Sequence, residues 1–362
     1  MRLSSRRSPA IALGCVLALA VTVVAPSASA DDGLPEGELF SPSVSQVQLE
    51  TSITGVERLA GADRFGTAVA ISEASFEPGV PFVVIANGLS FPDALSGAPV
   101  AGLAGAPVLL VTAQSIPASV KAELTRLKPD FIAVLGGVGA VSAAVASQLQ
   151  SYALSGDVER LSGSDRFATS AAIADVVWDG DPPSTVYVTN GMTFPDALAA
   201  GPVAGLDVAP ILLVQKDQIP APIKAQLQEI RPASIVVVGG PGAVSSKVLG
   251  ELDALSIDGA FRISGGSRFE TAANLSSWFW EGIDASTVFI SSGMQFPDAL
   301  SIAPVAAGVD GPLLLVQKDT IPEAVKAELA VRQPERIVIV GGTGAVSQAV
   351  EAELAQYIVA AP

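Results

Sequence analysis

The chain is 362 residues long and acidic, with 36 Asp and Glu against 20 Lys and Arg and a formal net charge of −16. It has no histidine and a single cysteine, Cys15, which excludes Cys/His zinc sites, serine–histidine triads and histidine acid–base work. The charge balance speaks against nucleic acid as a partner.

At the N-terminus, Arg2, Arg6 and Arg7 form a basic head, Ile11 to Val24 an apolar core, and Ala28-Ser29-Ala30 a small-residue cleavage site. Residues 1–30 are therefore predicted to be a secretory signal peptide. An uncleaved anchor, a lipoprotein site at Cys15 and twin-arginine export are the alternatives. Cleavage removes three arginines and Cys15, leaving 17 basic against 36 acidic residues, a net charge of −19. Residues 31–52 carry Pro, Gly and acids without a period and are expected to be a flexible tether. The C-terminal "QYIVAAP" has no sorting motif, so retention at a surface is expected to be noncovalent.

Beyond the tether the motifs recur three times, at a period of 102 or 103 residues. "ERLAGADRF" begins at Glu57, "ERLSGSDRF" at Glu159 and "FRISGGSRF" at Phe261; "FPDAL" begins at Phe91, Phe194 and Phe296. "APVLLV", "APILLV" and "GPLLLV" follow, then an Ile-Pro pair ending at Pro117, Pro220 and Pro322, then a glycine pair at Gly136, Gly239 and Gly341. A unit this long buries its own core, so three modules are expected over 53–154, 155–256 and 257–362.

In the first unit "VERLAG" is a short extended piece, and Asp63 caps a helix running through Ala74. An apolar strand spans Pro81 to Ala86, and a helix opens at Pro92 and runs to about Leu103. "PVLLV" is the next strand, Pro117 opens a helix, Phe131 to Gly136 is a strand, and Ser142 caps the last helix. Apolar strands alternating with helices predict an α/β fold with parallel sheets. Phe91 to Val111 is long enough to suggest a membrane span. Asp93, Pro99, Pro107 and the threefold recurrence favour a buried helix of small residues followed by a core strand.

On such a sheet the repeated polar motifs lie beyond the carboxyl ends of strands, beside helix N-termini, where open α/β sheets take their ligands. Arg58, Arg64, Arg160, Arg166, Arg262 and Arg268 stand there in two register-locked positions. Their guanidinium forks suit phosphate, pyruvyl or carboxylate groups, or internal carboxylates that lock loops. Asp63, Asp165 and Ser267 are expected to cap helices, and Asp93, Asp196 and Asp298 to play structural parts in a first helical turn.

Gly137-Val138-Gly139 and its counterparts resemble part of a dinucleotide fingerprint, but they follow a late strand and carry serine in place of the third glycine. Turns are expected there, with no cofactor and no metal. Catalysis would rest on carboxylate pairs such as Asp63 with Asp93 and Asp165 with Asp196. The third unit has Ser267 at the first of these positions, which favours three binding surfaces over an enzyme with catalytic residues.

The combination "ERLAGADRF…NG…FPDAL…APVLLV…IP…LGG" resembles the cell-wall-binding repeat family known as type 2, found in threes on surface proteins of Gram-positive bacteria. The resemblance implies three tandem Rossmann-like modules packed as a pseudo-threefold ring. It implies noncovalent attachment of a secreted protein to anionic cell wall polymer. A carboxylate-based wall hydrolase of the amidase or glycosidase type is the enzymatic alternative. The resemblance implies ligand-binding roles for the paired arginines and strand-end position of each unit, which fall on Arg58, Arg64 and Asn87, on Arg160, Arg166 and Asn190, and on Arg262, Arg268 and Ser292. Three modules in one chain can close a ring unaided, so a monomer is expected, free of the membrane once the signal is removed.

Overall fold

Among the described residues the strands form three four-stranded parallel sheets, and no sheet is completed by one repeat alone. Residues 47, 54–178 and 182–359 are described in the computed structural model, within one unit, Gly37–Pro362. The expected signal peptide and, Val47 apart, the expected tether lie outside them.

Repeat one supplies β1 (Gly55–Leu59), α1 (Arg64–Ser75), β2 (Phe82–Asn87), α2 (Gly97–Leu103), β3 (Val108–Val111), α3 (Ala118–Leu127), β4 (Phe131–Leu135) and α4 (Ala143–Leu149). Repeat two supplies β5 (Val158–Leu161), α5 (Arg166–Val177), β6 (Thr185–Asn190), α6 (Pro195–Leu206), β7 (Ile211–Val214), α7 (Ala221–Ile230), β8 (Ser234–Val238) and α8 (Ser246–Asp253). Repeat three supplies β9 (Gly259–Ile263), α9 (Arg268–Phe279), β10 (Thr287–Ser292), α10 (Pro297–Gly308), β11 (Leu313–Val316), α11 (Glu323–Arg332), β12 (Arg336–Val340) and α12 (Gln348–Leu354).

The sheet orders are β3-β2-β4-β5, β7-β6-β8-β9 and β11-β10-β12-β1. The first strand of each repeat therefore completes the sheet of the repeat before it, whereas the sequence expectation put "VERLAG" in its own. The reason is the open edge. β4 and β8 each present unpaired backbone groups, and the following helix returns the chain to that edge as β5 or β9. The edge of β12 is filled by β1, from the first repeat. The register is the same in all three sheets: Val134 pairs with Arg160, Val237 with Arg262, and Ile339 with Arg58.

Helices α2, α6 and α10 pack against one another. Small residues let them approach: a Cβ on Gly201 would lie 3.1 Å from Ala303 and 3.3 Å from Ala98, and one on Gly205 would lie 3.0 Å from Ala307. The expected buried helix thus serves contacts between repeats. No helix among the described residues is long and apolar enough to cross a membrane. One boundary departs from expectation, because α2 begins at Gly97 instead of Pro92. Residues 92–96 form turns, with Gly97 N–H donating to Ala94 O at 3.0 Å. Ser96-Gly97 replaces the Ala199-Ala200 of α6, and that pair has the weaker helix propensity.

The seam closed by β1 and β12 differs chemically from the other two. Arg58 Nη2 meets Glu351 at 2.7 Å, and Arg336 donates through Nε at 2.9 Å and through Nη2 to Glu57. Ala146 and Leu249 stand where repeat three has Glu351, and Phe131 and Ser234 where it has Arg336. The two ion pairs are thus confined to the seam whose strands are not linked through a neighbouring helix. Replacing Glu57 with Gln together with Glu351 with Ala is expected to cost about 2–4 kcal/mol in urea unfolding and to expose β1 amides first to hydrogen exchange. Glu159→Gln, at a position without an ion pair among the described residues, should stay within about 0.5 kcal/mol of the parent.

Candidate functional site

The two arginines of each motif have different surroundings. The first lies within the exchanged strand and is largely consumed there. Arg160 donates to Gly136 O at 2.6 Å and Val141 O at 2.8 Å, and Arg262 to Gly239 O and to Val244 O at 2.6 Å. Arg58 donates to Gly341 O at 2.7 Å and to Glu351. Arg160 and Arg262 tie their strands to the glycine turn of the preceding repeat, and Arg58 ties β1 to that of repeat three.

The second arginine opens the following helix. Arg64, Arg166 and Arg268 donate Nη1 to Gly88 O, Gly191 O and Gly293 O at 2.7, 2.8 and 2.7 Å. Their Nε and Nη2 groups make no hydrogen bond among the described residues. The acceptor glycines leave no room for a side chain, since a Cβ would fall 2.9 Å from Phe65, 2.8 Å from Phe167 or 2.6 Å from Phe269. The guanidinium of Arg166 lies 5.9 Å from the Phe91 ring centre, and that of Arg268 lies 5.9 Å from Phe194. Phe91, Phe194 and Phe296 touch one another, with centroids 5.5, 5.9 and 6.2 Å apart. The three carboxyl edges therefore converge on one aromatic cluster. The recurring "FPDAL" signalled these rings, although the sequence analysis did not single them out.

Asn87 and Asn190 are buried and fully engaged with the backbone. Asn87 donates to Ala140 O at 2.6 Å and accepts from Leu89 N–H at 2.7 Å, and Asn190 bonds Ala243 O and Met192 N–H in the same way. They bridge the gap between β2 and β4, and between β6 and β8, where the strand order reverses. Ser292, also buried, retains only the second bond, from Met294 N–H at 3.2 Å.

Asp63 accepts from Gly66 N–H at 2.8 Å, and Asp165 from Phe167 and Ala168 N–H at 3.0 and 2.9 Å, so both cap their helices. Ser267 caps α9 through Glu270 N–H at 3.2 Å, while the Glu270 carboxylate accepts from Gly266 N–H at 2.7 Å. This is a variant of the capping box, legible as Ser-x-x-Glu, in which the Glu270 carboxylate reaches the N–H one residue before the cap and restores a carboxylate that the serine had removed.

Asp93, Asp196 and Asp298 lie over Gly136, Gly239 and Gly341, whose φ values of 88, 121 and 108° and contact with the aspartates exclude a side chain. Burial pushes the Asp196 carboxyl up to about 6, opposed by Arg268, and the Asp298 carboxyl up to about 6, opposed by Arg64. In both cases the arginine belongs to a different repeat from the aspartate.

The cleft between repeats two and three has a volume of about 400 Å³. Thr193, Pro195 and Asp196 line one side, the turn Gly240–Ala243 a second, and Gly265 to Arg268 with Thr271 a third. The cap facing Asp196 is thus Ser267 of the next repeat, whereas the sequence paired Asp196 with Asp165 of its own. Among the described residues no group of three or more His, Cys, Asp or Glu is placed to hold a metal ion.

The raised carboxyls predict a pH dependence. A raised folded value gives a contribution to stability that is complete below the unfolded carboxyl range, about pH 4, and is lost as pH rises through about 6. Asp196→Asn with Asp298→Asn should therefore be more stable than the parent by about 2–3 kcal/mol per site at about pH 7.5, the gap closing near pH 4 in urea titrations.

The sequence matches the family described as Cell wall binding domain 2 over residues 58–146, 160–249 and 262–351. It is similar to two proteins of Bacillus subtilis (strain 168): the N-acetylmuramoyl-L-alanine amidase LytC, 31% identical over 304 residues, and an amidase enhancer, 30% identical over 305 residues. Each alignment takes 84% of this chain but only 59% and 41% of those proteins, so the chain spans about half the length of the curated relatives it matches. Among solved structures, Cwp6 from Clostridium difficile is similar with a TM-score of 0.80 at 31% identity, covering 84% of this chain and 48% of that one. Cwp8 from the same organism gives 0.75 at 27% identity, covering 85% and 53%.

Proposed function

Since this chain belongs to the cell wall binding domain 2 family, we propose that it binds the bacterial cell wall noncovalently, takes anionic wall polymer at the carboxyl edges of its sheets, and catalyses no reaction there. The observation that carries this reading is the unspent half of Arg64, Arg166 and Arg268. Each guanidinium is anchored at one nitrogen and aimed from a helix start, which leaves Nε and Nη2 as a fork for a phosphate, pyruvyl or carboxylate oxygen. In this reading Arg58, Arg160, Arg262, Asn87, Asn190 and Ser292 hold the frame of the clefts, and Asp93, Asp196 and Asp298 set the glycine turns.

The three modules close as a pseudo-threefold ring within one monomer. Supporting this are the β1–β12 pairing, the mutual contacts of α2, α6 and α10, and the three touching phenylalanines. The protein works at the cell wall or surface after export. A wall hydrolase would need a protonated acid and a second carboxylate across the same bond. Burial raises Asp196 and Asp298 only to about 6, so neither is a largely protonated acid at neutral pH, and the Asp196 cleft presents Ser267 where the second carboxylate would stand.

Replacing Arg64, Arg166 and Arg268 together with Gln is expected to weaken sedimentation with purified walls by at least about tenfold, at a temperature where circular dichroism shows both proteins folded. Parent binding should fall as salt rises. Unchanged affinity in the folded variant, or equal binding to walls stripped of secondary polymer, overturns the reading. Light scattering should give a monomer; a stable trimer at micromolar concentration would mean that modules pair between chains.

A further inference from the structure

Repeat three carries an exposed aromatic pair that neither other repeat has. Phe261 on β9 and Trp278 on α9 are each 40% exposed, and their ring centroids lie 5.5 Å apart. At these positions repeat two has Glu159 and Val176, and repeat one has Glu57 and Ala74. A third change accompanies them: Asn274, one helical turn before Trp278, stands where the other repeats have Ala172 and Ala70. The other tryptophans are core residues. Trp178 and Trp280 are buried and donate their indole N–H to Val208 O at 2.7 Å and to Asp310 Oδ1 at 2.9 Å. The Trp278 N–H has no hydrogen-bond partner among the described residues. Asn274 uses one amide hydrogen, donated to Ser264 O at 3.0 Å, and keeps its carbonyl oxygen and second hydrogen for other groups.

We propose that Trp278, Phe261 and Asn274 form a glycan subsite that takes the apolar face of a neutral, N-acetylated pyranose. Paired exposed rings leave apolar surface in water that folding does not require, which marks an interaction surface. The indole offers a flat apolar face with a polar edge, the pattern that a pyranose presents in complement. The free amide groups of Asn274 match an N-acetyl or hydroxyl substituent.

Charge selects against the other occupants. The neighbouring cation on β9, Arg262, is committed to Gly239 and Val244, so an anionic polymer finds no partner at this spot. A second copy of the chain would bring its own excess of 36 acidic over 20 basic residues against the first. Trp278 also lies ten residues along α9 from Arg268, about 15 Å away, so this subsite is separate from the polymer cleft.

Chitohexaose is the probe. Two of the three tryptophans are buried, so Trp278 is the one whose emission a surface ligand alters by contact. The sugar should shift that emission saturably, and raised salt should not weaken the response. The variant Phe261→Glu with Trp278→Val carries the residues that repeat two folds with at these positions. By isothermal titration calorimetry, which does not depend on Trp278, it should bind the sugar at least about tenfold more weakly than the parent while retaining its circular dichroism and its binding to anionic wall polymer. The variant Arg64→Gln, Arg166→Gln, Arg268→Gln should bind the sugar like the parent, so the two sites fail separately. A parent that does not respond, or a folded Phe261→Glu, Trp278→Val variant that binds equally well, overturns the proposal. So does an emission shift that follows protein concentration without sugar, which would give the rings to a second copy.

Discussion

An open parallel edge cannot be left in water without cost, and in this molecule the outer edge of each repeat's last strand, β4, β8 or β12, is covered by the first strand of another repeat. Much of the architecture follows from that exchange. It carries the first arginine of each motif into the preceding sheet, where its guanidinium meets the carbonyls of the glycine turn. It sets the cap of one repeat opposite the buried aspartate of another, so the cleft of repeat two is walled by residues of repeat three. For β12 the exchanged strand comes from the first repeat, and among the described residues this is the one seam where ion pairs reinforce the carbonyl contacts.

The same exchange explains why two arginines six residues apart do different work. The first sits inside a strand, faces a glycine turn, and has its donors taken by oxygens that its own fold supplies. The second sits where the chain leaves that sheet and enters a helix covering another, since α1 packs on β3 although β1 belongs with β12. It can reach only one carbonyl of the sheet it joins. The rest of its fork faces an edge where helix starts concentrate positive potential. On a molecule with a formal net charge of −16, these edges concentrate the positive potential on which the proposed polymer contact rests.

The repeats, the apolar strands, the caps at Asp63, Asp165 and Ser142, and the parallel α/β class were legible because each depends on local pattern. The home of "VERLAG" was not. A short, half-polar strand carries no mark of which parallel edge it will join, and nothing local distinguishes its own sheet from its neighbour's. The late start of α2 turned on Ser96-Gly97, a difference of two small residues inside a motif otherwise shared. The burial of Asn87 and Asn190 also escaped the sequence, because a strand-end asparagine reads as exposed until the gap between β2 and β4 is seen to close over it. The Glu270 carboxylate at the cap of α9 was present as Ser-x-x-Glu, but its bond to Gly266 N–H depends on how the preceding loop turns.

The account divides six arginines into three that build and three that bind, and nuclear magnetic resonance of arginine Nε–H groups tests that division directly. On titration with a soluble anionic wall-polymer fragment, the resonances of Arg64, Arg166 and Arg268 should shift to saturation while those of Arg58, Arg160 and Arg262 hold still. Shifts confined to Arg58, Arg160 and Arg262, or no shift in any of the six while the polymer is demonstrably bound, would contradict it.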